Sequence, residues 1–108
     1  MNAELRERWN QMFVHAEEFE AVDKIDEARA RSRLALREIR EALSRAGNPE
    51  ARAELELLAR RAQRYVERYD VAQAEWNERA LERQRHYLKR EDEAYHAPLP
   101  LPPPPHRD

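Results

Sequence analysis

Gly47 is the only glycine among 108 residues, and it stands in Ala46-Gly47-Asn48-Pro49, near the middle of two long Ala/Arg/Glu/Leu stretches. Glycine reaches the left-handed conformation that ends a helix, and proline fits the first turn of the next one. After Pro49 no further glycine or proline occurs until Pro98. One all-α hairpin is therefore expected. Its first helix should run over about 3–46, its turn over 47–48 and its second helix over about 49–95. Each helix would be about 65 Å long at ~1.5 Å per residue.

Apolar spacing supports two helices. The first seam reads Leu5, Trp9, Met12, Ala16, Phe19, then slips by one residue to Val22 and Ile25. The slip is a change of heptad phase. Polar Arg29 and Ser32 follow at seam positions, which predicts a weakly packed middle, before Leu36, Ile39, Leu43 and Ala46 resume. The second seam is Ala51, Leu55, Leu58, Ala62, Tyr65, Tyr69, Ala72 and Trp76. Asn48 is the expected N-cap, with Pro49 at the first helical position and Glu50 on the positive end of the helix dipole. Folding about the turn would set residue i roughly opposite residue 96 − i, so that Ile39 meets Leu57 and Leu58, Phe19 lies near Trp76 and Trp9 near Tyr87.

The second helix carries another apolar row off this seam: Val71, Ala74, Leu81, Leu88 and Tyr95. Two helices alone bury little surface. The row is expected to meet a further helix, from a second copy or a protein partner, giving a coiled-coil-like bundle. From Ala97 the composition changes, and residues 97–108 hold six of the seven prolines. Polyproline II is the natural state of such a tail. Leu101-Pro102-Pro103-Pro104-Pro105 resembles the ligands of EVH1-type domains, and Pro102 to Arg107 fits the P-x-x-P-x-Arg pattern of an SH3 ligand. Leu99, Leu101, Pro102 and Pro105 are thus candidate partner contacts, with packing on an assembly neighbour the simpler role.

Charge is segregated. Residues 1–28 are acidic, with Glu4, Glu7, Glu17, Glu18, Glu20, Asp23, Asp26 and Glu27 against Arg6, Arg8 and Lys24. Arg29, Arg33, Arg37 and Arg40, with Arg60, Arg61, Arg64 and Arg68 on the return helix, form a candidate basic patch. Phosphates of a nucleic acid are one conceivable ligand for it. The net charge of −2 and the interleaved carboxylates weigh against that reading, and antiparallel self-association would use the same segregation.

Chemistry is harder to find. With no cysteine, thiolate metal sites and disulfides are excluded. His15 and Glu18 fall across the expected hairpin from Glu78, Glu82 and His86, but their spacings lack the paired Glu-x-x-His of di-iron bundles. There is no glycine-rich phosphate loop and no nucleophile–base set, so catalysis, cofactors and metals are not expected. No apolar run approaches the ~20 residues that span a bilayer, and the first residues lack the apolar region of a signal peptide. A cytoplasmic protein without membrane contact is expected.

In size and architecture the expected hairpin resembles the helical substrates of type VII secretion and the needle proteins and small chaperones of type III secretion. The type VII turn carries Trp-x-Gly, where this chain reads Arg45-Ala46-Gly47-Asn48-Pro49, so no functional residue transfers. The sequence points to a non-enzymatic protein–protein interaction element, an adaptor or structural subunit of an assembly or homo-oligomer. A nucleic-acid factor using the arginines, or a secretion-type chaperone covering a partner helix, are the alternatives.

Overall fold

The computed structural model describes residues 2–96, with side chains through residue 94. The chain is all-α. Among the described residues there are three helices: α1 (Ala3–Ala21), α2 (Ile25–Arg45) and α3 (Pro49–His96). The proline-rich tail lies outside the described residues.

The expected continuous first helix is two helices, divided at Val22–Lys24. Asp23 has φ 61°, in the left-handed region. The Asp23 N–H donates to the Glu20 carbonyl at 3.0 Å and the Lys24 N–H to the Phe19 carbonyl at 2.8 Å. This pair of bonds is a Schellman stop, which satisfies carbonyls left open at a helix end. Aspartate is among the few residues besides glycine that enter this conformation with tolerable strain. The phase slip at Val22 thus marks a turn, and Val22 is 63% exposed. Asp26 and Glu27 then occupy the first turn of α2, where carboxylates suit the helix dipole.

Gly47 plays a smaller part than expected. Its φ is not positive, α2 ends on an extended Ala46 (φ −74°, ψ 117°), and a Cβ placed on Gly47 meets no atom within 4 Å. The start of α3 matches the expectation: Asn48 Oδ1 accepts from the Glu50 N–H at 2.8 Å, and Pro49 opens the helix. Asn2 caps α1 in the same way through the Glu4 N–H, also at 2.8 Å. Gly47→Ala should therefore be neutral or stabilise by up to ~1 kcal/mol, because the unfolded chain loses freedom without native strain. Asp23→Gly should stabilise and Asp23→Val should destabilise by roughly 1–2 kcal/mol. Urea denaturation of the three variants checks this order, and a larger loss at Gly47 than at Asp23 would reverse the assignment of the strained turn.

Contacts run up, down and up. Arg8 reaches Glu38, so α1 and α2 are antiparallel neighbours. Arg29 and Arg33 reach Asp70, and Arg40 reaches Gln63, so α2 and α3 are antiparallel. Arg6 pairs with Glu54, Asn10 with Arg61, Glu17 with Tyr65 and Glu20 with Arg68. Residue numbers rise together in these last pairs, so α1 lies parallel to α3. For α1 the pairing of i with 96 − i fails, because α1 has folded back along the start of α3; α2 keeps an antiparallel pairing close to it, as in Arg29 with Asp70.

Chain compactness divides the protein into two units, Met1–Trp76 and Asn77–Asp108, with the division inside α3. In the first unit, Trp9, Met12, Phe13, Ala35, Leu36, Ile39, Leu55, Ala62 and Val66 form one buried cluster. Ala16, Ala28 and Tyr69 form another, with Phe19 and Tyr65 packed on it. Each large apolar side chain so buried contributes roughly 1.5–3 kcal/mol. The middle of the expected seam is tightly closed: Ala28, Ser32 and Ala35 are each fully buried. Small side chains let neighbouring helices approach there, and the Ser32 hydroxyl donates to the Ala28 carbonyl at 2.9 Å. In the second unit every described side chain is exposed except the half-buried Ala80.

Candidate interaction surfaces

Ion pairs tie the three helices together and decide which charges remain available. The Arg8 Nε and Nη2 atoms each donate to one oxygen of Glu38 at 2.9 Å. The Trp9 indole N–H donates to the same carboxylate at 3.2 Å, so Glu38 also orients the largest buried side chain. The Arg8 hydrogen bonds hold the Glu38 carboxyl below its ordinary range, against the opposing effect of partial burial. Asp70 accepts from Arg29 at 2.6 Å and from Arg33 at 3.1 Å, and the Arg29 bond, with the charge of Arg33, lowers its pKa likewise.

Both carboxyls have folded pKa values below their unfolded ones. Their stabilisation is complete above the ordinary carboxyl range and disappears as pH falls through the folded values. The melting temperature should therefore drop below about pH 5. Glu38→Gln should shrink the acid-dependent part of that drop, which a pH series of thermal melts reads directly.

The acidic start of the chain meets the arginines of α3 within one molecule. Glu20 engages Arg68, and the Tyr65 hydroxyl donates to Glu17. Phe13 stacks on Tyr65 with ring centres 5.0 Å apart, and the Arg61 guanidinium sits 4.9 Å from the Phe13 ring centre. Burial, with the Glu17 contact, raises the Tyr65 pKa. Tyr69 is fully buried, and burial pushes its phenol up to about 12. Its hydroxyl has no hydrogen-bond partner among the described residues. A buried hydroxyl left unpaired costs about 1–3 kcal/mol, so Tyr69→Phe should raise stability by about 1 kcal/mol in urea titration. A loss of similar size would mean that the hydroxyl is bonded.

The expected basic patch divides between two grooves. Arg33, Arg37 and Arg40 line an open groove between α2 and α3, of about 620 Å³. Arg61, Arg64 and Arg68 line another beside Tyr65, of about 230 Å³, on the α1 flank of α3. Carboxylates engage Arg29, Arg33 and Arg68, and Arg60 is exposed. This leaves less uncommitted charge for phosphates than the sequence alone implies.

The expected partner row is exposed where it is described. In the first unit Val71 is 58% exposed and Ala74 is exposed. In the second, Leu81 and Leu88 are 51% and 53% exposed, with Tyr87 beside them. The side chain of Tyr95, and Leu99, Leu101, Pro102 and Pro105 entirely, lie outside the described residues. Trp76, expected on the seam, is half exposed. Leu57, expected to meet Ile39, is instead 63% exposed. Sequence reasoning overlooked the clamps Glu38 and Asp70; no spacing signal distinguishes these two carboxylates from their neighbours. Among the described residues no group of three or more histidines and carboxylates could hold a metal ion. None of the described helices is long and apolar enough to cross a membrane.

No family model, curated protein or solved structure matches this chain.

Proposed function

We propose that the chain is a non-enzymatic protein–protein interaction element that acts as an adaptor or structural subunit and associates with itself through the later part of α3. One observation carries this reading. Leu81 and Leu88 stand one heptad apart on a helix whose described side chains, from Asn77 on, bury almost nothing. A helix of this kind gains little from its own unit, because propensity alone barely supports a helix and packing of an apolar stripe supplies the rest. Coiled-coil pairing with a second copy would cover both leucines and Tyr87. The proline-rich tail, starting at 97, would add a further contact with a neighbour. Catalysis, cofactors and nucleic acid have no part in this reading.

Light scattering on the full chain tests it. A mass that is a multiple of 12.9 kDa is expected, falling to one copy in Leu81→Glu/Leu88→Glu while the thermal melt of the first unit is retained. A wild-type chain that stays at one copy up to millimolar concentration would remove self-association from the account.

A further inference from the structure

We infer that the α2/α3 groove of the first unit is a docking site for an acidic amphipathic helix of a partner protein. The groove is edged by Arg33, Arg37 and Arg40, of which Arg33 already engages Asp70, and its base is the outermost surface of the core residues Leu36 and Val66, each 7% exposed. Arg37 and Arg40 are exposed, and Arg40 is held only by a neutral amide, donating to Gln63 at 3.2 Å. The α2 edge, from Arg33 to Ser44, spans three helical turns, about 16 Å at ~1.5 Å per residue.

The molecule itself supplies the template for the occupant. On its other flank α3 carries arginines of its own, and what covers them is α1. There Phe13 lies beneath Arg61 and against Tyr65, while Glu17 and Glu20 meet Tyr65 and Arg68. An apolar anchor followed over the next two turns by carboxylates is thus the partner that the arginine-bearing flank of this helix already accepts. The α2/α3 groove also carries a row of arginines, here on α2, facing Gln63 and Val66 of α3, and no described helix covers it. Complementary charge of this kind selects the partner and sets its register. An acidic helix laid into an apolar-floored groove is a recurrent recognition mode.

A nucleic acid fits the groove less well. Phosphates have no use for the Leu36 and Val66 floor, and Glu41 lines the same groove. The site does not involve Leu81 or Leu88, so its failure and the failure of self-association are separate results.

The test uses the full chain, labelled with nitrogen-15, and three probes. The first is an alanine-based helical peptide of about four turns, with leucines at i, i+3 and i+7 flanked by glutamates. The second is its lysine-for-glutamate twin, and the third a short DNA duplex. The acidic peptide should shift the amide signals of Arg37, Arg40, Gln63 and Val66. Its affinity should fall about tenfold or more in Arg37→Glu/Arg40→Glu, and by less in Arg37→Gln/Arg40→Gln. Binding should weaken as salt rises from about 50 to 300 mM. The lysine twin should not bind. Equal binding of the two peptides, shifts confined to other residues, or preference for the duplex with a steep salt slope would each overturn the assignment.

Discussion

Trp9→Ala should cost the first unit roughly 3–5 kcal/mol, the range for removing a large buried aromatic. Trp9 is 1% exposed and belongs to the main buried cluster, whose members come from all three helices. At roughly 0.05–0.15 kcal/mol per residue, a unit of the length Met1–Trp76 has only about 4–11 kcal/mol in hand. The variant should therefore melt lower by about 12 °C at least, given ~4–8 °C per kcal/mol at this size. At the weak end of that range it would be largely unfolded at room temperature. Truncation also removes the indole donor from Glu38, although Arg8 still engages that carboxylate. Trp76→Ala is the internal comparison. Trp76 is 47% exposed, and its loss should cost less than about 1 kcal/mol, near the usual range for surface changes. The extended hairpin gives both tryptophans the same role, so equal costs in thermal melts followed by circular dichroism would favour it over the bundle.

Ser32→Leu is the second large effect expected. Ser32 is fully enclosed and flanked on the same face of α2 by the equally buried Ala28 and Ala35. Three small residues at this spacing leave no room for a branched side chain. Forcing extra carbons into such a site costs typically 1–3 kcal/mol, and more if the helices cannot separate. Ser32→Ala should be close to neutral. The hydroxyl bonds only to the carbonyl of its own helix, at Ala28, and bonds of that type add little and bend helices slightly. Urea titration of both variants separates the accounts. A tolerant Ser32→Leu would mean a loosely packed middle, as the polar seam positions alone suggest.

That contrast shows what spacing can and cannot convey. Trp9, Met12, Ala16, Leu36, Ile39, Leu55, Ala62 and Tyr69 are legible as core, because burial follows the helical period and all eight are buried. Phe13 and Val66 are buried too, next to Met12 and Tyr65. Apolar doublets of this sort widen the stripe, as a helix needs when it faces two neighbours instead of one. The third helix is harder to see because its breaker is Asp23, which enters the left-handed region without glycine or proline to announce it. The phase slip at Val22 is the one local trace of that turn. Once α1 folds back, the charge pattern changes meaning: acidic α1 meets Tyr65 and Arg68 in the same chain, with no second copy required. Leu81 and Leu88 share their exposure with every described side chain from Asn77 on except Ala80. The division of the arginines between two grooves was not legible, since it depends on which flank of α3 the first helix covers.

The parallel placement of α1 along α3 is the centre of this account, and one distance tests it. Asn10 Oδ1 accepts from Arg61 at 3.2 Å, and neither side chain belongs to the buried clusters. Because the chain has no native cysteine, spin labels can be placed at both positions by Asn10→Cys/Arg61→Cys. Pulsed electron resonance on samples diluted with unlabelled protein then reads the distance within one molecule. The bundle places the labels within about 20 Å, allowing for the length of their tethers. In a two-helix hairpin residue 61 would lie opposite residue 35, some 25 residues along the first helix from Asn10, or about 37 Å at ~1.5 Å per residue. A single narrow population below about 20 Å is the expected result, and one centred near 37 Å would contradict the fold described above.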